Sequence, residues 1–344
     1  MIRFRAFIIA CFLLGVALET QAATPLFNVV DLGPHSGQWV RLNDRGQVAF
    51  TRNGQIVRHT DGLGIEMILP DARGIAFDIN NQGQVLGRVT RSDGEYITRY
   101  TDGIGAQDLV KTEGFSTYPL VMNDHGDFAG ISDGKAYIYT DAGGQSFLPL
   151  ASAESVRGLN NAGQVVGNYS LAPGYQAFRF DPVTGLETLP FERATAINDA
   201  GQIVVSSLDS GYYHASRLET DGSLTGDVNH GTRGGPFDIN AAGDYVGATH
   251  FQPGPPTGYH AFRFTDEAGF QYLGDLIDPS LGWELWRATG INTFGQIAGV
   301  GRRDGELHAF RLDPVQPIPE PGSLVLLGVG GLGLLRARFR RQAS

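Results

Sequence analysis

The sequence predicts an all-β fold, a seven-bladed β-propeller of four-stranded blades. Three observations lead there. A motif of Asn, two variable residues, Gly and then Gln or Asp occurs seven times, at Asn43, Asn80, Asn123, Asn160, Asn198, Asn240 and Asn292. The copies are spaced 37, 43, 37, 38, 42 and 52 residues apart, a period that signals a repeat architecture. Each copy holds short apolar or aromatic runs separated by Gly and Asn, and no segment carries an amphipathic helical period.

Within a copy, Asn-x-x-Gly sits between β-branched runs such as Val85-Leu86 and Val165-Val166. That is the pattern of two strands joined by a tight turn. The Asn side chain can bond the backbone two residues on, closing an Asx-turn. Gly takes positive φ at no steric cost. These residues therefore read as turn builders. An aromatic third strand follows at residues 96–100, 136–139, 177–180, 261–264 and 309–312. A Gly-containing turn then leads to a fourth run, such as residues 187–190 or 270–273. Four short strands in about forty residues is the period of a propeller blade.

The seventh copy ends at Leu312-Asp313-Pro314 without a fourth strand, while residues 27–33 form an orphan strand near the chain start. Joining the two completes the last blade. An unclosed ring would leave open sheet edges and an exposed apolar face.

The Asn-x-x-Gly-Gln motif, coupled to His260-Ala261-Phe262 and His308-Ala309-Phe310, resembles the HAF repeat of extracellular bacterial proteins. The resemblance covers roughly residues 38–312. Copies four, six and seven match best, and copy five has His214-Ala215-Ser216. It implies export and a repeat fold, and no established enzymatic activity.

Residues 1–23 read as a secretory signal peptide. Arg3 and Arg5 precede an apolar run over residues 6–18, and small residues place cleavage near Ala22 or Ala23. The only cysteine, Cys11, lies inside it, so the mature chain can form no disulfide or thiolate metal site. Residues 24–316 are one run of repeats. The whole chain of 344 residues has 48 glycines, and those of the repeats are spread through turns, which means many hairpins rather than a low-complexity segment. Trimming residues 1–23 and 322–344 removes six arginines and one glutamate, taking the net charge from −10 to −15. Such a surface repels phosphate backbones, so nucleic acid is not an expected partner.

Residues 317–344 form a three-part tail: Pro319-Glu320-Pro321, an apolar stretch over residues 324–335, and Arg336, Arg338, Arg340 and Arg341. The prolines end any strand and leave an extended segment. The apolar part is short for a stable span and reads as a transient transmembrane helix, its arginines cytoplasmic by the positive-inside rule. The tail resembles the PEP-CTERM sorting signal of Gram-negative bacteria. That resemblance implies recognition by an exosortase, loss of the tail, and delivery to the cell surface or the extracellular polysaccharide matrix.

Signals for chemistry are sparse. His214, His260 and His308 occupy equivalent third-strand positions, too far from the axis to meet at one ion. The acidic turns at Asp44, Asp124 and Asp199 lack the alternating carboxylates and bidentate Glu of a calcium loop, and read as solvated turn residues. No cofactor is expected. The longest spacing holds two insertions, residues 250–259 and 277–286, whose connections leave a blade on the same face and should lie side by side. Loops on a rigid scaffold carry function, and Trp283, Trp286 and Tyr259 are the candidate binding residues, suited to stacking on sugar rings. The expected function is non-catalytic: a binding or structural component of the matrix, associated with polysaccharide. A secreted glycan hydrolase or lyase, and a protein-interaction ring, are the alternatives.

Overall fold

The computed structural model describes residues 25–37, 39–70, 72–112, 117–172, 174–251 and 258–315. The expected signal peptide, the sorting tail and most of the first insertion lie outside them. The described chain contains 28 strands, β1 to β28, and no α-helix.

After β1 (Phe27–Pro34), the strands follow in groups of four. The first sheet is β2 to β5 (Val40–Leu42, Val48–Arg52, Gln55–Thr60, Gly64–Met67). The second is β6 to β9 (Arg73–Ile79, Val85–Arg91, Gly94–Thr101, Gly105–Thr112). The third is β10 to β13 (Thr117–Met122, Phe128–Ser132, Lys135–Thr140, Gly144–Phe147) and the fourth β14 to β17 (Ser155–Leu159, Val165–Leu171, Gly174–Asp181, Gly185–Thr188). Next come β18 to β21 (Arg193–Ile197, Ile203–Asp209, Tyr212–Leu218, Leu224–Gly231) and β22 to β25 (Gly235–Ile239, Tyr245–Phe251, Gly258–Thr265, Gly269–Tyr272). These two groups share one eight-stranded sheet, joined by a single parallel bridge from Gly231 to His250. The last three strands are β26 (Trp283–Ile291), β27 (Ile297–Arg303) and β28 (Glu306–Pro314). All other pairings are antiparallel, so each group is an up-and-down sheet, and the fold is β-propeller-like.

The last sheet has the order β1-β28-β27-β26. The orphan strand does supply the missing fourth strand, with Phe27 opposite Pro314 and Pro34 opposite His308. It places Phe27 in the cluster with Val246, Ala261 and Phe310, and Leu32 in the cluster with Val40, Phe50 and Ala309. One strand therefore seals both faces of its sheet. Burying two such side chains contributes roughly 3–6 kcal/mol.

Among the described residues the core is split into seven apolar clusters, each between two adjacent groups of strands. Third-strand aromatics anchor them: Tyr137, Phe178, Phe262 and Phe310 are fully buried. Four third-strand arginines tie neighbouring groups together. Arg58, Arg99, Arg217 and Arg311 donate to the carbonyls of Gly83, Gly126, Gly243 and Gly46 in the next repeat turn. Each also pairs with an aspartate of that neighbour: Asp102, Asp141, Asp266 and Asp61. The guanidiniums are enclosed, so a charge-assisted bond to a carbonyl is worth more here than a surface ion pair.

The second insertion differs from its expected form. Leu273–Leu276 and Pro279–Leu281 are 3₁₀ turns, and Trp283 already begins β26. Trp283 and Trp286 therefore stand on a strand and not on a free loop: Trp283 pairs with Arg303, and Trp286 is the bulged residue between Leu285 and Arg287.

Candidate functional site: the central channel

Each repeat turn begins at the end of an innermost strand, so the seven asparagines converge on the axis. They are buried, at 3–6% exposure, and do more than close their own turns. Each carboxamide spans a gap between neighbours. Asn43 Nδ2 donates to Asn80 O (2.8 Å), Asn80 to Asn123 O (3.1 Å) and Asn123 to Asn160 O (3.3 Å). Asn160 donates to Asn198 O (3.1 Å), Asn198 to Asn240 O (3.0 Å) and Asn240 to Asn292 O (3.2 Å). Asn292 returns to Asn43 O at 3.1 Å, closing the circuit. The rest of each side chain serves its own turn. Asn43 Oδ1 accepts from Arg45 N and Gln47 N, and Nδ2 also donates to Gln47 Oε1. Both donors and both acceptor sites of the amide are then used.

A second circuit lies one residue on. Asn81 Nδ2 donates to Asp44 and Asp124, and Asn161 Nδ2 to Asp124 and Asp199. Thr293 Oγ1 donates to Asp44. Alternating carboxamide with carboxylate places a donor between like charges, which would otherwise repel. Ala241 interrupts this outer circuit.

In six groups the innermost strand carries a β-bulge three residues before the repeat Asn, at Phe77, Leu120, Arg157, Thr195, Phe237 and Thr289. A bulge re-aims a side chain, and Arg157, Thr195 and Phe237 line a cavity. The partner strand carries Gly where the bulged backbone comes close. A Cβ on Gly167 would sit 2.1 Å from Ser155 O, and one on Gly299 2.1 Å from Arg287 O.

Two cavities share Arg41, Arg157 and Phe237 and are consecutive sections of one channel. The section at the repeat turns has a volume of about 220 Å³ and contains Asp78 and Asp238. Each carboxylate staples two neighbours. Asp78 accepts from Ile79 N and Met122 N, and Asp238 from Ile239 N and Ile291 N. Burial in the channel wall raises both pKa values, Asp238 to about 6, against the lowering pull of Arg41 and of the backbone N–H bonds.

The opposite section, about 250 Å³, is lined by Trp39, Tyr175 and Phe237, by Arg41, Arg157, Arg193 and Arg233, and by one carboxylate, Glu154. Arg41 and Arg157 lie over the Trp39 ring at 4.8 and 6.0 Å. Arg193 lies over Tyr213 at 4.5 Å and Tyr175 at 5.3 Å. Arg41 also donates to Thr289 O at 2.7 Å. Flat aromatic faces and carbonyls hold these guanidiniums in fixed orientations.

The binding residues expected from the sequence lie elsewhere and do not converge. Trp283 packs edge-on against His308 and Phe310, at 6.1 and 5.9 Å. Trp286 lies under Arg302 at 4.8 Å, and Tyr259 under Arg287 at 5.3 Å. The last contact links Tyr259, at the end of the first insertion, to β26; residues 252–257 of that insertion lie outside the described residues. The three histidines have separate partners: His214 with Asp227, His308 with Asp31, and His260 against Tyr272. Among the described residues, no group of three or more His, Cys, Asp or Glu is arranged to hold a metal. Ser206 and His230 are hydrogen bonded at 2.9 Å, but both are fully enclosed and offer no access to a substrate.

Residues 317–341 match the PEP-CTERM protein-sorting motif. No curated protein shows significant sequence similarity to the chain. A chain of the mitotic checkpoint complex aligns over 92% of this chain and 99% of its own, with a TM-score of 0.54 and 11% identity. YCF48, solved bound to a D1 peptide, aligns over 86% and 96%, with a TM-score of 0.55 and 12% identity. At such identity the likeness concerns the fold alone, and it is propeller-like. The sorting motif indicates an exported protein, recognised by an exosortase and sorted to the cell surface or extracellular space. Among the described residues, no helix is long and apolar enough to cross a membrane; residues 324–335 lie outside them.

Proposed function

We propose that this chain is a seven-bladed β-propeller that serves the extracellular matrix as a non-catalytic binding or structural component associated with polysaccharide. The observation that carries this is the sorting motif at residues 317–341 attached to a rigid ring. The ring reading is supported by seven asparagines in one closed circuit and by seven interfacial clusters. The likeness to HAF repeats points the same way. Residues 1–23 act as signal peptide, 24–316 as the ring, and 317–344 as a tail removed after transient membrane insertion. Trp286 with Arg302, and Tyr259 with Arg287, offer amphipathic surfaces for sugar on the face bearing the insertions.

The test has two arms. In a Gram-negative host with an exosortase, removing residues 317–344 should abolish surface display. Purified protein should be retarded in native gels cast with matrix polysaccharide. Unchanged display would overturn the sorting role, and free migration in every polysaccharide would overturn the association.

One observation favours a second reading, a glycan hydrolase or lyase. Asp238 is a channel carboxyl held partly protonated near neutrality, as general acids are. Its two backbone N–H bonds suit a structural staple better. Release of reducing ends from matrix polysaccharide, lost in Asp238→Asn, would decide for the enzyme.

A further inference from the structure

We infer that the channel mouth lined by Trp39, Tyr175, Arg41, Arg157, Arg193 and Arg233 binds a carboxylated sugar residue of an acidic glycan. The inference rests on the reading of the ring as a binding module, and it names the ligand class and the place.

Charge is the first argument. The chain is acidic, at −10 overall, yet this cavity brings four arginines together against Glu154 alone. Among the described residues, no carboxylate pairs with Arg41, Arg193 or Arg233 within salt-bridge distance. Asp78 and Asp238, which feel the charge of Arg41, point their oxygens to backbone N–H groups in the other section. Like charges gathered around a single carboxylate repel one another. A fold that keeps them together, and holds them on aromatic rings, has a site prepared for an anion.

Geometry is the second argument. Guanidinium forks match the two oxygens of a carboxylate. Fixing Arg41, Arg157 and Arg193 on Trp39, Tyr175 and Tyr213 removes much of the ordering that binding would otherwise require. The volume of about 250 Å³ suits one ring rather than a long segment. Tyr175, at 36% exposure, presents a flat face at the mouth. Thr195 and the backbone of Gly234 and Gly235 add neutral polar groups, and Glu154 adds an acceptor for a sugar hydroxyl. Carboxylate forks, one aromatic platform and neutral polar groups together describe a uronate-type residue. An acidic peptide would gain nothing from the platform.

Titration calorimetry of the purified chain tests this with four probes: trigalacturonate, neutral galactotriose, tetraglutamate and inorganic phosphate. Trigalacturonate should bind and galactotriose should not. Arg233→Gln, a change at an exposed side chain, should weaken binding about tenfold, equivalent to ~1.4 kcal/mol, with the melting temperature unchanged. Arg193→Gln should weaken it further, and far-UV dichroism guards against misfolding there. Equal binding of acidic and neutral trisaccharides, or wild-type affinity in Arg233→Gln, would overturn the inference. So would tetraglutamate binding as tightly as trigalacturonate, which would mark an acidic-peptide site. Phosphate competing at the same concentration would mark a simple anion site and overturn the inference equally. None of these outcomes touches sorting by residues 317–344, so failure here and failure of the matrix reading are separable.

Discussion

Replacing Asn43 separates a turn residue from a member of a closed circuit. Asn43→Ala removes four hydrogen bonds: from Arg45 N and Gln47 N, and to Gln47 Oε1 and Asn80 O. The turn keeps its backbone bonds, Asn43 N to Gln47 O and Gly46 N to Asn43 O, both 3.1 Å. The side chain is 3% exposed, so water reaches the stranded groups poorly. Each buried unsatisfied partner costs about 1–3 kcal/mol, and partial relaxation brings the total to about 3–5 kcal/mol. In a chain of this size the melting temperature should fall by about 6–15 °C. Asn43→Asp is the sharper perturbation. It keeps both acceptors but aims an oxygen at Gln47 Oε1 and Asn80 O. The protonated acid can still donate; the carboxylate cannot. The introduced group therefore has a raised folded pKa, and its stability falls as pH rises through that value. Urea unfolding at pH 7 should find Asn43→Asp at least as damaged as Asn43→Ala, with part of the loss recovered near pH 4. A loss below about 1 kcal/mol in both variants would refute the circuit as a source of stability.

Other consequences are direct. Deleting residues 25–34 should lower the cooperative melt sharply, and Leu32→Ala alone should cost about 2–5 kcal/mol, as Leu32 is 1% exposed; an unchanged calorimetric transition would contradict closure by β1. Arg311→Met should cost about 2–4 kcal/mol, since the Gly46 carbonyl loses a charged donor. Arg179→Met should cost under about 1 kcal/mol, because the Arg179–Glu187 pair is solvent-exposed; equal losses in denaturant titrations would contradict the staple. Asp238 should titrate near 6 by carboxyl NMR. Because burial raises its folded pKa above the unfolded value, it withdraws stability as pH rises from about 4 to about 6, and Asp238→Asn should lack that component. Gly299→Ala should destabilise strongly, as its Cβ would meet Arg287 O at 2.1 Å; a variant melting like wild type would refute the close approach.

The strand pattern was readable because it depends on local chemistry. Asn-x-x-Gly closes a turn wherever it stands, and the Ala–aromatic pairs of the third strands repeat in register. The closing strand was readable from arithmetic, since the last copy lacked one strand and the chain start had one spare. What each Asn donates to was hidden, because its acceptor lies 37 to 52 residues away, or 249 for Asn292. The partners of the buried third-strand arginines were hidden for the same reason, since the carbonyls they reach belong to the next repeat. The channel was missed because Trp39 lies outside the repeat motif, and because Arg157, Thr195 and Phe237 reach the axis through bulges. One signal did exist: the residues two to four before each repeat Asn vary from copy to copy, while the one just before it is always Leu, Ile or Met. Trp283 drew attention for its type, yet its neighbours Phe310 and His308 make it a packing residue.

The most direct test of the central claim is a crystal structure of the exported chain. It should show seven four-stranded sheets about one channel, β1 hydrogen bonded to β28, and every repeat Asn Nδ2 within about 3.3 Å of the next Asn carbonyl. A ring of six or eight sheets, a break in that circuit, or β1 paired anywhere else would contradict it.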